Sequence, residues 1–443
     1  MSPSRTSTSA KRDFGTTSAL IATAIRRWRS SKRVKRSSTL RGASDSCDSP
    51  FNTYFTRGTL AESSPRLKRV SGPSKSRAWA EIDRGALVRN LRAIRARARG
   101  RRVVAVVKAD AYGHGAVLVA RALAADGCDA FAVISVDEAL ELRDAGVREP
   151  ILVLGGLLEP DEAGVALARG LTPVVSRIEP LDWLAKAAAR GPASRRAPFH
   201  LKLDTGMGRL GLAPEDLPAL LERTRAEPAL ALEGVMTHLA QADDLESGET
   251  DRQRAEFAAL VARVRAAGFA PDWIHVDNSA GIARGVTPDT NAVRPGLWLW
   301  GAEPMLRGGH ALEPVMSLFA RVCHAKVVPP GTRIGYGGDF VARDTTRILT
   351  LAIGYADGLP RAAGGKIEVG FRGARVPLVG RVSCDLATAA VPGRERIEPG
   401  DAVLIFGKSC ALAIPVEETA RAAGTISYEI LARIGPRVPR IAT

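Results

Sequence analysis

The pattern of apolar and polar positions becomes regular near Ala78. There, "AWAEIDRGALVRNLRAIRARA" reads as a short strand followed by Asp83 as a helix cap. Leu87, Leu91 and Ile94 then recur at helical spacing. This stretch predicts a strand and one amphipathic helix.

Short apolar runs then alternate with alanine-rich helical stretches. "RVVAVVKAD" precedes "AVLVARALAADG", "AFAVIS" precedes "VDEALELRDAG", and eight such units follow one another. Their strands are apolar throughout, which indicates a parallel sheet buried on both faces. Eight units favour a closed barrel over an open doubly wound sheet. No GxGxxG follows any of the strands, which disfavours a dinucleotide-binding fold.

The pattern of predicted elements changes from about Ala311. Strand-like runs such as "TRILTLAIGYADGL" and "DAVLIFG" are separated by Gly, Pro and Asp turns, and a short helix is predicted near Val416 to Ala423. We therefore expect an α/β chain with a (β/α)8 TIM-like barrel over 78–310 and a mostly antiparallel β domain over 311–443. The first strand, about 78–83, is open to either domain.

Composition indicates a globular protein without a membrane span. The chain is 45% hydrophobic and 25% charged, and no apolar run approaches the roughly 20 residues that cross a bilayer. Five cysteines are scattered without a CxxC pair, which argues against a disulfide framework and a structural zinc site. We expect a cytoplasmic protein without a metal.

The net charge of +16 is concentrated at one end of the chain. Residues 1–77 hold 17 Lys and Arg against 4 Asp and Glu, which leaves only +3 on the remaining 366 residues. We expect no nucleic-acid binding by the folded body, and a basic, disordered extension over 1–77. "RRWRSSKRVKR" leaves contact with RNA or anionic lipid open. A transit peptide, or a start codon assigned too far upstream, are the other interpretations.

Polar side chains stand at the carboxyl ends of several predicted barrel strands, where sites are built in this fold. They are the side chains of Lys108, Arg209, His238, Asn278, Ser279 and Arg294, and Gly296 follows with its backbone N–H. Singly, such a lysine is often a surface residue and such a histidine a structural one. Together they supply a nucleophilic amine and several anion-binding groups. That combination suits an aldehyde cofactor that bears a phosphate, pyridoxal 5'-phosphate.

Eight sequence blocks resemble those of the alanine racemases. The blocks, in order, are "VVKADAYGHG", "LKLDTGMGRLG", "MTHLAQADD", "HVDNSAG", "AVRPGLWLWG", "GYGGDF", "IGYADGLPR" and "VGRVSCDL". The resemblance runs from about Ala78 to the C-terminus. It implies pyridoxal-phosphate-dependent interconversion of L-alanine and D-alanine, which supplies D-alanine for peptidoglycan.

The resemblance also implies two catalytic bases. Lys108 corresponds to the lysine that binds the cofactor aldehyde covalently and then serves as a base. Tyr336 corresponds to the second base, which lies in the β domain and reaches the barrel mouth of the other subunit of a homodimer. Racemisation needs proton donors on opposite faces of a planar carbanion, so two different bases serve where one would not.

Further roles follow from the same resemblance. Arg294 would face the pyridine nitrogen and leave it unprotonated, with His238 beside it. Arg209 would hold the phenolic oxygen and approach the substrate carboxylate, which also meets the backbone N–H of Cys384. Lys202 matches a lysine that is often carbamylated in the family. The other cofactor-binding residues would be Tyr112, Asn278, Ser279, Gly296, Leu297 and Tyr428. The substrate entryway would comprise Asp243, Tyr355, Arg361, Arg381 and Asp385.

Two departures from the family pattern concern the substrate pocket. Cys384 stands before Asp385 where the family usually has methionine, and Pro436 stands where many members have a gate tyrosine. A racemase of broader specificity, for example for serine, therefore stays an alternative.

Two other functions are disfavoured. A decarboxylase on this architecture would need an acid, not Arg294, at the pyridine nitrogen. A non-catalytic cofactor carrier resembles the barrel alone and has no need of the β domain with Tyr336.

Overall fold

The protein is described by a computed structural model that covers residues 76–191, 196–302, 312–392, 397–410 and 412–443. The expected extension over 1–77 lies outside the described residues, apart from Ser76 and Arg77. β1 (Ala78–Ile82) is followed by helix α1 (Arg84–Ala98). The Asp83 carboxylate accepts a hydrogen bond from the Ala86 N–H at 2.8 Å, so the predicted helix cap is confirmed.

Eight parallel strands form a closed barrel, because the first also pairs with the last. The barrel strands are β2 (Arg102–Val106), β3 (Ala130–Val133), β4 (Ile151–Val153), β5 (Leu171–Val175), β6 (Ala197–Lys202), β7 (Leu230–Met236), β8 (Trp273–His275) and β9 (Ala292–Val293). Nearly all their apolar residues are buried, as expected for strands covered on both faces. The predicted barrel is confirmed.

Helices connect successive barrel strands. They are α2 (Lys108–Gly113), α3 (Ala116–Ala125), α4 (Val136–Asp144), α5 (Pro160–Ala168), α6 (Glu179–Ala189), α7 (Leu217–Arg225), α8 (Glu249–Ala266) and α9 (Ser279–Arg284). Three short 3-10 turns occur at Leu297–Trp300, Tyr336–Gly338 and Arg361–Ala363.

The remaining strands form a second, mostly antiparallel structure, which confirms the predicted β domain. They are β10 (Met316–Val328), β11 (Arg333–Ile334), β12 (Phe340–Val341), β13 (Thr346–Leu351), β14 (Glu368–Phe371), β15 (Ala374–Val379), β16 (Ala387–Val391), β17 (Ala402–Ser409), β18 (Leu412–Ile414) and β19 (Arg440–Ala442). The long strand β10 pairs with β13, β17 and β1, so it joins both halves of this sheet. Helices α10 (Val416–Ala423) and α11 (Ser427–Ala432) precede β19.

The first and last described strands lie side by side. β1 pairs antiparallel with β10 and parallel with β19, and the Thr443 N–H donates to the Ile82 carbonyl at 3.0 Å. β1 is therefore part of the β sheet. Among the described residues, no helix is both long enough and apolar enough to cross a membrane.

Trp79 is expected to anchor β1. Its ring is fully buried and stacks on Phe319 at 5.3 Å between centroids, with the Arg321 guanidinium 5.0 Å from the ring. Trp79→Ala should lower the free energy of unfolding by about 3 kcal/mol or more through the cavity it leaves. Urea unfolding followed by far-ultraviolet circular dichroism measures this.

Trp183→Ala is the matched control, because Trp183 is only partly buried on α6, with Arg177 at 5.4 Å from its ring. Its loss should be clearly smaller. Equal losses for the two variants would contradict the anchoring role of Trp79.

Candidate active site

Lys108 follows β2 by one residue and opens a left-handed turn. Residues 109–112 have φ between 52° and 54°, although none is glycine. Each such residue costs roughly 1–2 kcal/mol, so the turn needs support from its surroundings. The turn leaves the Lys108 Nζ 6.0 Å from the centroid of the Tyr112 ring.

His114 supports this turn from within the core. Its Nδ1 lies 2.9 Å from the Ala111 carbonyl and 3.0 Å from the Tyr112 carbonyl, so Nδ1 carries the proton and donates. Burial lowers the pKa of His114 to about 4, which keeps the ring neutral. The ring stacks on Trp300 at 4.5 Å between centroids.

Residues far along the chain hold the same turn. The Asp110 carboxylate accepts from the Ala116 N–H at 2.7 Å and lies 3.6 Å from the Arg440 guanidinium. Arg440 also donates to the Gly113 carbonyl at 2.8 Å. The last described strand, β19, therefore supplies part of the support that the strained turn requires.

Tyr112, Ser279 and the segment around Gly296 form one cradle. A β-carbon at position 296 would lie 3.0 Å from the Tyr112 hydroxyl oxygen, so that hydroxyl would have to shift by a few tenths of an ångström to admit one. The Ser279 Oγ accepts from the N–H groups of Gly296 at 3.1 Å and Trp298 at 3.3 Å, which leaves its own proton to donate. The Leu297 N–H, between them, has no acceptor among the described residues.

Other predicted cofactor residues border this cradle. Burial raises the pKa of Tyr112, so its hydroxyl stays a donor. The Tyr428 ring lies 6.0 Å from the Tyr112 ring. The Asn278 side chain accepts from the Gly281 N–H at 2.9 Å and caps α9, so its oxygen is already engaged.

Arg294 is buried in the barrel with four of its five N–H groups engaged. Nη1 donates to the Nδ1 of His275 at 2.8 Å and to the His275 carbonyl at 2.9 Å. Nη2 donates to the carbonyls of Thr237 at 2.7 Å and Val276 at 2.8 Å, and the His238 Nδ1 lies 3.4 Å away. Nε–H has no acceptor among the described residues. Burial lowers the Arg294 pKa to about 10, so the side chain stays charged at neutral pH.

Lys202 and Lys108 share this cationic environment. Lys202 is buried at the end of β6, and burial, Arg294 and Arg209 lower its pKa to about 8. Burial and then Arg209 lower the pKa of Lys108. Burial and Arg294 lower the pKa of His238 to about 3, so this imidazole is neutral.

Arg209 stands on the exposed loop after β6. The Asp204 carboxylate accepts from the N–H groups of Gly206 and Gly208 at 3.0 Å and fixes the loop. The Arg209 guanidinium makes no hydrogen bond or ion pair within the part of the chain that the structure describes, so it remains available to an anion.

Tyr336 is not part of this cluster within its own chain. Its side chain is 72% exposed on the β domain. The loop that carries it is fixed by an ion pair between Asp339 and Arg381, with Nε to Oδ2 at 2.6 Å.

The segment around Cys384 lies in the same domain. The Cys384 carbonyl accepts from the Ala356 N–H at 3.0 Å, and its own N–H has no acceptor among the described residues. Asp385 pairs with Arg437 at 2.8 Å. The other predicted entryway residues and the gate position are exposed: Asp243, Tyr355, Arg361 and Pro436.

Sequence reasoning missed the buried histidines and the partner of Arg381. His200 and Lys202 in "FHLK" are two residues apart on one strand, and that spacing already indicates that both point into the barrel. No local signal identifies Glu233 or Asp339, because their partners lie in other elements, and the burial of His114 depends on Trp300, which is also distant in sequence.

The donor set fits pyridoxal phosphate. Four cationic side chains, Lys108, Lys202, Arg209 and Arg294, lie close enough to His238 that each contributes to its lowered pKa. The cradle at Gly296 offers hydroxyl and N–H donors to a phosphate, and Lys108 offers an amine.

Comparison with known proteins identifies the family. The model of the alanine racemase N-terminal domain matches residues 82–304, and that of the C-terminal domain matches residues 315–442. The alanine racemase of Geobacter sulfurreducens is 40% identical over 372 residues, which cover 82% of this chain and 96% of that protein.

Solved structures agree with this finding. The alanine racemase of Bacillus anthracis with bound L-Ala-P superposes with a TM-score of 0.77 at 35% identity, over 84% of this chain and 96% of that one. The enzyme of Bartonella henselae with covalently bound pyridoxal phosphate gives a TM-score of 0.73 at 29% identity, over 83% and 100%.

The cradle makes a testable demand at position 296. Gly296→Ala should weaken pyridoxal phosphate binding about tenfold, because the added methyl group must displace the Tyr112 hydroxyl. Titration of the apoprotein with pyridoxal phosphate, followed by absorbance, gives the dissociation constant.

Gly164→Ala is the control, because position 164 lies on the exposed side of α5 with no atom within 4 Å of the added carbon. It should leave cofactor affinity unchanged. Unchanged affinity in Gly296→Ala as well would show that the cradle does not hold the phosphate.

Proposed function

The chain belongs to the alanine racemase family of isomerases, and we propose that it interconverts L-alanine and D-alanine with pyridoxal phosphate at the barrel mouth. The observation that carries the proposal is the convergence of Lys108, Lys202, Arg209 and Arg294 beside the cradle at Gly296. Bound there, pyridoxal phosphate supplies an electron-withdrawing system that acidifies the Cα–H of an attached amino acid.

The cofactor would be held at three places. The Tyr112 and Ser279 hydroxyls and the Leu297 N–H would donate to its phosphate, with Tyr428 adjacent. The free Nε–H of Arg294 would face the pyridine nitrogen and, because guanidinium gives up its proton only at very high pH, would leave that nitrogen unprotonated. Lys108 would hold the aldehyde carbon.

Two bases would act on opposite faces of the substrate Cα. The lowered Lys108 pKa leaves a larger fraction of neutral amine for proton removal on one face. We assign the other face to the phenol oxygen of Tyr336. The two residues are not adjacent within one chain, and the Tyr336 side chain is 72% exposed. We therefore propose a homodimer in which Tyr336 of one subunit completes the barrel mouth of the other.

The substrate carboxylate would be bound by groups that have no partner of their own among the described residues. These are the Arg209 guanidinium and the Cys384 backbone N–H. Cys384 leaves a shorter wall than methionine would, so serine is the second substrate to test. We place the activity in the cytoplasm, where D-alanine would serve peptidoglycan synthesis; all four described cysteines are unpaired, as expected in a reducing compartment.

Tyr336→Phe tests the two-base mechanism. Racemisation of L-alanine and D-alanine should fall at least about 100-fold, because one face loses its proton donor. In D2O, Cα–H exchange should persist for one enantiomer only, since Lys108 still serves its face. Polarimetry and proton NMR measure the two quantities, with L-serine assayed in parallel.

Tyr355→Phe is the matched control, since Tyr355 is also an exposed tyrosine of the β domain, assigned to the entryway. Its effect should fall mainly on KM. Racemisation at the wild-type rate in Tyr336→Phe would overturn the second-base assignment.

Lys202 is proposed to carry a carbamate. The ammonium first loses one proton to solvent. The neutral amine then attacks CO2, an N–C bond forms as one C–O π bond breaks, and a second proton leaves, so a cation would become an anion facing Arg209 and Arg294. With a pKa of about 8, about a tenth of this amine is neutral at pH 7, against about 0.03% for an ordinary lysine. Carbamate formation should therefore increase from pH 7 to pH 9.

Labelling with ¹³C-bicarbonate and ¹³C NMR detects the modification. The carbamate signal should disappear in Lys202→Met. It should remain in Lys408→Met, because Lys408 forms ion pairs with Asp83 at 2.9 Å and Glu313 at 3.4 Å that raise its pKa. A signal that survives in Lys202→Met would contradict the assignment.

A further inference from the structure

A row of buried polar side chains continues from Arg294 through the barrel interior. The Nδ1 of His275 lies 2.8 Å from the Arg294 Nη1, and the Nε2 of His275 lies 2.8 Å from the Nδ1 of His200. The Nε2 of His200 lies 3.6 Å from the Oε2 of Glu233. The row thus crosses from β9 through β8 and β6 to β7.

Both imidazoles are enclosed. His200 is 1% exposed and His275 is fully buried, whereas the Glu233 side chain is 39% exposed at the end of the row. Gly234 makes room for the row, because a β-carbon there would lie 2.6 Å from the His200 ring. Thr172 Oγ1 donates to the Glu233 Oε2 at 3.4 Å.

The direction of donation along the row is fixed by its first member. A guanidinium has donors only, so His275 must accept at Nδ1 and, when neutral, carry its proton on Nε2. His200 must then accept at Nδ1 and carry its own proton on Nε2. That proton faces the Glu233 carboxylate.

The charges around the row agree with neutral rings. Burial, Arg294 and Arg102 disfavour protonation of both histidines, and only the Glu233 carboxylate favours it at His200. Arg102 lies over the Trp273 ring at 3.6 Å from its centroid, and that ring lies 6.1 Å from the His200 ring. Two positive charges on adjacent imidazoles would face Arg294 and Arg102. The Glu233 carboxylate alone would stand against them directly, because Asp272 is paired with Arg102 at 2.7 Å.

We propose that Glu233, His200 and His275 are positioning residues that fix the orientation of Arg294 through this one-directional row. The proposal rests on the proposed function, in which the Arg294 Nε–H faces the pyridine nitrogen. His275 accepts from Nη1, His200 accepts from the Nε2–H of His275, and Glu233 faces the Nε2–H of His200, so each member orients the one before it. The row therefore makes the orientation of Arg294 depend on Glu233, a carboxylate on β7.

The first test reads the tautomers directly in the holoenzyme. The chain has six histidines, so ¹⁵N-histidine labelling with long-range ¹H–¹⁵N correlation can resolve them, with His200→Gln and His275→Gln for assignment. Both rings should be neutral with the proton on Nε2 between about pH 6 and 9. A proton on Nδ1 of either ring, or a charged ring at neutral pH, would overturn the proposal.

The second test breaks the far end of the row. Glu233→Leu removes the acceptor that the His200 Nε2–H faces. The tautomers should stay as Arg294 sets them, but His200 loses the group that orients it and holds the Nε2–H of His275 less well. We expect kcat to fall about tenfold with KM within twofold, as for other partners that orient a ligand-binding residue. Glu233→Gln keeps an acceptor oxygen and should restore most of kcat.

One control variant and the result for Tyr336→Phe distinguish the positioning role from the proposed function. His324→Gln changes an exposed histidine of β10 and should alter neither tautomers nor kcat. If Glu233→Leu leaves kcat unchanged while Tyr336→Phe abolishes racemisation, the positioning role is wrong and the proposed function stands. If Tyr336→Phe racemises normally, the two-base mechanism is wrong whatever the row does.

Discussion

The concentration of positive charge at the barrel mouth is the constraint on which the rest of this structure depends. Lys108, Lys202 and Arg294 are buried or half-buried within reach of one another's fields, with Arg209 at the rim. Among the described residues, Glu138, Asp204 and Asp277 each offset one of these cations only in part. Such an arrangement is costly unless anions complete it. Under the proposed function, a phosphate, a phenolate, a substrate carboxylate and a carbamate on Lys202 would be the anions that complete it. The cationic groups are therefore in place before any anionic ligand binds.

The fold delivers these groups by two different means. Closed parallel strands bring Lys202, His238 and Arg294 to one edge without special geometry, because strand ends meet there. The positions of Lys108 and Tyr112 need supporting contacts, since the left-handed turn that places them is intrinsically unfavourable. His114 and Arg440 hold its carbonyls, so the β domain, through β19, helps to shape the cofactor cradle. The two domains are thus in contact at the turn that begins at Lys108.

This division explains how far the sequence could be interpreted. Continuous apolar strands and the change of texture near Ala311 predicted both domains, because burial on two faces and Gly-rich turns are local signals. The residues at the strand ends were likewise visible, and the resemblance to the family gave them roles. The left-handed turn was not visible, because "ADAY" contains no glycine and its support comes from about 330 positions away. The row from Arg294 to Glu233 was equally hidden, since its members come from four strands and meet only once the barrel closes.

Neutral histidines add no further positive charge to the cationic barrel mouth. An imidazolium at His238 or His275 would add to the repulsion, and burial together with Arg294 prevents it at both. The histidines can then accept from the guanidinium, which fixes Arg294 with its two Nη atoms occupied and only Nε–H free. An aspartate at this position would instead protonate a pyridine nitrogen and favour a wider range of reactions at the cofactor. Under the proposed function, a buried arginine held by neutral acceptors would leave the pyridine nitrogen unprotonated and favour proton transfer over other reactions at the cofactor.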